Sequence, residues 1–150
     1  MNIRVISASP HDTEATRLLN ASHQLMDTLF PAESCHYLGV EELAKDNVKF
    51  FIAYRGDAAV GCGALANYGS YGEVKSMYVD ETARGHGVAD AILKMVEDEA
   101  RIANLPVLRL ETADLLAAAI KLYEKHGFTR CPPFGSYEED PLSTFMEKPL

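Results

Sequence analysis

The chain has 150 residues, 47% of them apolar, and its 22 acidic and 14 basic side chains give a formal net charge of −8. That length is the size of one domain, 1–150, and is enough to bury a core without staples; the acidic balance argues against a nucleic-acid partner, whose phosphates need a basic face. No apolar run approaches the roughly 18–20 residues that cross a bilayer, and the opening MNIRVISASPHD lacks the basic-then-apolar pattern of a secretion signal, so a cytoplasmic protein without a membrane partner is expected.

The first segment, IRVISAS (3–9), reads as a strand. Pro10 to Asp12 offers a helix start. Ala15, Leu18, Leu19, Ser22, Leu25, Met26 and Leu29 then recur at helical spacing until Pro31 stops them. The stretch PAESCHYLGVEELAKD reads as a loop and a short second helix. VKFFIAYR (48–55) is rich in aromatic and β-branched residues, as a strand should be. Gly56-Asp57 supplies a tight turn, and AAVGCGALANY (58–68) returns as the hairpin partner. Arg55-Gly56-Asp57 also spells an adhesion tripeptide, but the hairpin turn accounts for it. YGEVKSMYVD (71–80) is the next strand, and its period of two puts Glu73, Lys75, Met77 and Val79 on one face.

A helix follows with a buried stripe of Val88, Ile92, Leu93, Val96 and Ala100. VLRLET (107–112) is a strand. LLAAAIKLYEKHGF (115–128) is a helix with Leu116, Ala119, Ile120 and Tyr123 on one face and Gly127 as its C-cap. FTRC and STFMEKP give two last strands, separated by the loop PPFGSYEEDPL. The order β-α-α-β-β-β-α-β-α-β-β predicts an α/β chain with a mixed sheet and helices against its faces.

Cys35, Cys62 and Cys131 are odd in number and contain no Cys-x-x-Cys pair, which fits reduced thiols. Cys35-His36 could be a thiol nucleophile or half a metal site, yet no third ligand follows at metal spacing, so no metal is expected. Cys62 and Cys131 read as small apolar fillers.

The stretch ETARGHGVADAIL (81–93) poses the functional question. Free N–H groups and the macrodipole make a helix N-terminus attractive to anions, and glycines just before it let a phosphate reach the backbone. Three readings compete. One is a bare strand-to-helix turn. A second is a dinucleotide fold, begun by Gly85-x-Gly87 with Glu111 ending a later strand; against it, Asp90 occupies the third glycine position of that fingerprint. The third is an acyl-coenzyme A site.

EVKSMYVDETARGHGVADAIL resembles the coenzyme-binding core of the GCN5-related N-acetyltransferases (GNAT), whose signature is Arg/Gln-x-x-Gly-x-Gly/Ala after a strand. Arg84, Gly87 and Ala89 match it, with Gly85 in the common second place. AIKLYEKHGF (119–128) is similar to the family's second motif, in the family's order and spacing. The resemblance implies a GNAT acyl-CoA N-acyltransferase fold, a mixed and mostly antiparallel sheet with helices on both faces. It implies acetyl-CoA as co-substrate, with the pyrophosphate held by the backbone of Arg84, Gly85, His86, Gly87, Val88 and Ala89, the Arg84 side chain being free to brace the loop instead. It implies that the pantetheine arm pairs with the backbone of Met77, Tyr78 and Val79, which needs a bulge that the sequence does not reveal.

By the same resemblance, Glu73 stands where a strand glutamate often serves as base, and Tyr123 where a tyrosine donates to the departing sulfur. A surface carboxylate and a core aromatic are the plainer readings of the two. One departure is Leu116, where the family often has an asparagine touching the coenzyme arm. The implied reaction is direct acetyl transfer to an amine; the net charge of −8, the absence of any basic run and the short chain point to a small molecule with a primary amine as acceptor, and dimers are common in the family, so a homodimer fits. The alternatives are an acyl-CoA sensor that needs neither Glu73 nor Tyr123, and acetylation of a protein lysine or N-terminus. The cluster Glu138, Glu139 and Asp140 either borders the acceptor entrance or is a solvated turn.

Overall fold

Alternation and helical periodicity place the elements where the computed structural model, described over residues 2–150, has them. They are β1 (Ile3–Ser7), α1 (Thr13–Leu29), α2 (Val40–Leu43), β2 (Val48–Arg55), β3 (Ala58–Asn67), β4 (Gly72–Val79), α3 (Val88–Ile102), β5 (Val107–Thr112), α4 (Ala117–Lys125), β6 (Thr129–Arg130) and β7 (Thr144–Pro149). They form a seven-stranded sheet in the order β1-β2-β3-β4-β5-β7-β6. Only β4 and β5 pair in parallel among the described residues; the other neighbours are antiparallel. Gly56, at φ 62°, makes the β2–β3 turn that an L side chain would strain.

Helices cover both faces. The predicted stripe of α3, Val88, Ile92, Leu93, Val96 and Ala100, is buried against the sheet together with Leu108 and Leu110 of β5 and Ile120 and Tyr123 of α4. Each large apolar side chain so buried stabilises the fold by roughly 1.5–3 kcal/mol. The opposite face is covered by Ala15, Leu18 and Leu19 of α1 and Leu43 of α2, packed on Phe50, Ile52, Cys62 and Ala64. The α1 stripe is buried only over its first half; Leu25 and Leu29 are exposed, so periodicity alone overstates how far this helix lies on the sheet.

α4 ends as a Schellman motif. Phe128 N–H donates to Tyr123 C=O and Gly127 N–H to Glu124 C=O, both at 3.0 Å, with Gly127 at φ 92°. The accompanying apolar contact is Phe128 edge-on to Tyr123, centroids 5.7 Å apart. The helix stop thus orients the Tyr123 ring. Among the cysteines, Cys62 is buried, which pushes its thiol up to about 12, and Cys131 is half-buried.

Candidate active site

Strand β4 is the centre of the site, and a bulge decides what each edge and face of it can do. Lys75 pairs with Ala64 and Tyr78 with Cys62, so Ser76 and Met77 together oppose Gly63. Ser76 takes the left-handed conformation, φ 57°, at a cost of about 1 kcal/mol or more. The extra residue breaks the alternation read from the sequence. Glu73, Lys75 and Tyr78 share the α1 face, while Met77 and Val79 turn to α3. A Cβ on Gly63 would lie 2.8 Å from Met77 Sδ and 2.5 Å from Ile92 Cγ2, which confirms that Met77 has crossed to the α3 side. The expectation that Glu73, Met77 and Val79 lie on one face is therefore corrected.

The bulge accompanies a split in the sheet. β4 pairs with β5 only at Gly72 and Glu73, so the backbone of Met77, Tyr78 and Val79 has no β5 partner. An extended chain with alternating donors and acceptors fits that opening. At its far end lies the glycine loop. Gly85 and Gly87 have φ 82° and 81°, and a Cβ on either would meet nothing within 4 Å, so the loop faces open space. The first α3 hydrogen bond outside the helix proper is Ala91 N–H to Gly87 C=O. The amides of Gly85, His86, Gly87, Val88 and Ala89 donate to no other backbone carbonyl among the described turns and caps. Five free amides at a helix N-terminus form an anion cradle. Arg84 differs from them: its amide leans on Glu81 C=O at 3.4 Å, and its Nε donates to Val79 C=O at 3.1 Å, so its side chain braces the loop. Asp90, in the first turn of α3, pairs with Lys125 Nζ and His126 Nε2, both at 2.8 Å. These partners hold its carboxyl below the usual range and offset a negative charge beside the cradle.

Tyr123 is buried, and desolvation alone pushes its hydroxyl well above the usual range. No ion pair or hydrogen bond joins it to Glu73. Leu116 caps α4 through its carbonyl, which accepts from Ile120 N–H, and offers no side-chain polar group there.

On the other face of β4 lies a cavity of about 730 Å³ lined by Glu73 and Lys75, by His36 to Leu38, by Tyr68 and Tyr71, and by the tail loop from Gly135 to Asp140. Glu73 is 3% exposed and Lys75 8%. Lys75 Nζ donates to His36 C=O at 3.0 Å and to Tyr137 Oη at 2.8 Å, and lies 3.2 Å from Glu73 Oε2. Tyr137 Oη donates to the same Glu73 oxygen at 2.6 Å. Glu111 lies behind this group; burial pushes its carboxyl up, although the Ser143 hydroxyl donates to it. The rim holds Glu33, Glu138, Glu139 and Asp140. Asp140 is partly engaged, accepting from Ser34 Oγ at 2.6 Å and Leu142 N–H at 2.8 Å, which holds its carboxyl below the usual range.

Sequence reasoning placed Glu73 in the site but missed Tyr137, His36, Tyr68 and Tyr71. Tyr137 lies 64 residues from its partner Glu73, and no spacing rule joins them. Cys35 turns its Sγ toward the carbonyls of Met26 and Phe30, and His36 presents its ring edge to Tyr137.

A strand splayed at a bulge, a run of free amides at the next helix and a cavity on the α1 face of that strand are the arrangement against which the comparisons with known proteins can be set. The model of the Acetyltransferase (GNAT) family matches residues 15–128, and the chain belongs to that family. It is 45% identical, over 99% of both chains, to an IAA acetyltransferase of Azospirillum brasilense. It superposes with a TM-score of 0.82 and 33% identity on a Klebsiella pneumoniae protein described as an acyl-CoA N-acyltransferase, covering 99% of this chain and 97% of that one. At 19% identity and a TM-score of 0.70 it shares its fold with a GNAT acetyltransferase of Elizabethkingia anophelis that has acetyl-CoA bound, with 99% of each chain covered. The protein is an N-acetyltransferase of the GNAT type.

Proposed function

We propose that the enzyme transfers acetyl from acetyl-CoA directly to the primary amine of a small molecule, with no acyl-enzyme. The observation that carries this is the cavity on β4, lined by Glu33, Glu138, Glu139 and Asp140 and by Tyr37, Tyr68, Tyr71 and Tyr137. A cavity of that size suits a small acceptor, and its carboxylates suit a cation. The relative named an IAA acetyltransferase supports a small-molecule acceptor.

In this reading the free amides from Gly85 to Ala89 bind the pyrophosphate, and the unpaired edge of Met77, Tyr78 and Val79 takes the pantetheine arm. The open space at Gly85 and Gly87 and the lost β4–β5 pairing support both assignments. Arg84 contributes by bracing the loop through Val79. Glu73 is the base that takes the amine's proton, and Tyr123 donates to the departing thiolate. An ammonium has no lone pair, so the first step must remove a proton; the nitrogen then attacks the thioester carbonyl.

A panel of primary amines assayed with acetyl-CoA for free thiol release tests the reading. Turnover of a small amine that is lost in Glu73→Gln supports it. Thiol release only with lysine-bearing proteins, or with no acceptor at all, overturns it.

A further inference from the structure

Glu73 presents a difficulty for the reading just given. Its side chain is buried, 3% exposed, and its Oε2 already accepts from Tyr137 Oη and is paired with Lys75. A substrate ammonium has little direct access to it. What the cavity offers instead is Tyr137, which is half-buried and lines the wall.

Each donor and acceptor in the cluster can be accounted for. Lys75 has three N–H bonds. They face His36 C=O, Tyr137 Oη and Glu73 Oε2, so none is left for a substrate carboxylate. Tyr137 Oη accepts from Lys75 and donates to Glu73, which leaves a single lone pair. The ring is held by Phe134 and Phe145, with centroids 5.2 and 5.4 Å away, and by the edge-on His36 at 5.4 Å. The orientation of that lone pair is therefore set from three sides.

We propose that Tyr137 is the catalytic residue that contacts the acceptor amine, relaying its proton to Glu73, and that Lys75 is a positioning residue that aims Tyr137. The proposal rests on the amine-acetylation reading above. The ammonium N–H bond breaks as an O–H bond forms at Tyr137 Oη, while the phenol proton passes to Glu73 Oε2. The nitrogen keeps the electron pair and attacks the thioester carbonyl carbon. The C–S bond breaks with its pair going to sulfur. The second proton that nitrogen loses balances the one the thiolate takes up, and Glu73 returns its proton to water. Burial and the neighbouring Glu73 both favour the protonated phenol, as a relay requires.

The test separates proton transfer from shape. Tyr137→Phe keeps the ring and its aromatic neighbours and removes only the hydroxyl. Parent and variant are compared with the best amine of the panel and with its β,β-difluoro analogue, at a pH set between the two ammonium pKa values, so that the parent amine is protonated while the analogue is neutral and has no proton to give up before attack. The expected result is a loss of turnover of roughly 10²-fold with the basic amine. With the fluorinated amine the two enzymes should agree within about threefold. Acetyl-CoA affinity, measured by calorimetry, should not change.

An equal loss with both amines makes Tyr137 a wall and overturns the relay. No loss with either also overturns it. A parent that acetylates no amine overturns the functional reading itself, and the relay with it. Should Tyr137→Phe fail to fold, 3-fluorotyrosine at position 137 keeps the hydrogen bonds while making the phenol more acidic. A relay then changes the rate for the basic amine alone, and an unchanged ratio between the two amines refutes it.

Discussion

The two sides of β4 are built from different material. Toward β5 and α3 the proposed coenzyme side consists of backbone: a strand edge freed by a bulge and five free amides held by two left-handed glycines. Toward α1 the proposed acceptor side consists of side chains from segments far apart in sequence. The 35–38 loop, β4 and the 134–140 tail meet at one lysine, Lys75. Backbone sites tolerate changes of side chain but not of local geometry. Side-chain sites have the reverse sensitivity, and under the proposed function this would let acceptor choice vary over an unchanged coenzyme site.

The largest effect should come from Lys75→Met. It leaves the Glu73 carboxylate buried without its ion-pair partner and frees His36 C=O. Removing one member of a buried pair costs about 3–5 kcal/mol, measured here by denaturant unfolding. Adding Glu73→Gln should recover part of the loss, since the charge is then gone from both positions. A single variant as stable as the parent would mean that the acceptor side does not depend on this pair.

Tyr123→Phe tests the residue proposed to donate to the departing thiolate. The ring keeps its edge contact with Phe128, so stability should change by less than about 1 kcal/mol. Turnover should fall roughly 10²-fold or more while acetyl-CoA affinity holds. Unchanged turnover, with chemistry limiting the rate, would return Tyr123 to the core.

The backbone side is probed by a pair of changes. Gly87→Asp forces an L residue to φ 81° and sets a carboxylate against the cradle. Coenzyme affinity by calorimetry should drop tenfold or more, about 1.4 kcal/mol. His86→Ala, one residue earlier, removes an exposed side chain and no amide, so affinity should stay within about twofold. Equal losses from the two would mean that the side chain, not the backbone, binds.

This division also explains what was legible in the sequence. The α3 stripe, the hairpin turn and the Gly127 stop rest on local periodicity and conformation, and the structure has each of them at the predicted residues. The glycine loop was legible for the same reason. The bulge was not, because Ser76 at φ 57° carries no turn residue to announce it, and missing it put Met77 and Val79 on the wrong face. Tyr137 was invisible because its contacts with Glu73 and Lys75 exist only once the tail folds back onto β4. Gly135 permits that approach: it has φ 59°, and a Cβ there would meet Tyr71 Oη at 2.7 Å.

The smallest effect concerns the acidic rim. Glu138, Glu139 and Asp140 all line the cavity, but they are not equivalent. Asp140 ties the tail to Ser34 and to its own turn, so replacing it disturbs the wall as well as the charge. The clean electrostatic variant is Glu138→Gln with Glu139→Gln, both exposed. Exposed charges act through a screened field, with a Debye length of about 8 Å at 0.15 M salt. The KM for a cationic amine should therefore rise only a few-fold, about 0.5–1 kcal/mol, and the rise should shrink as salt is added. The KM for acetyl-CoA should stay put, because the cradle lies at the far end of β4. Asp140→Asn should behave differently, lowering the melting temperature and raising the amine KM by an amount that salt does not reduce. If the double variant equals the parent at low salt, or if carboxylate-bearing amines outcompete cationic ones, the rim is a solvated turn and the cavity selects by shape alone.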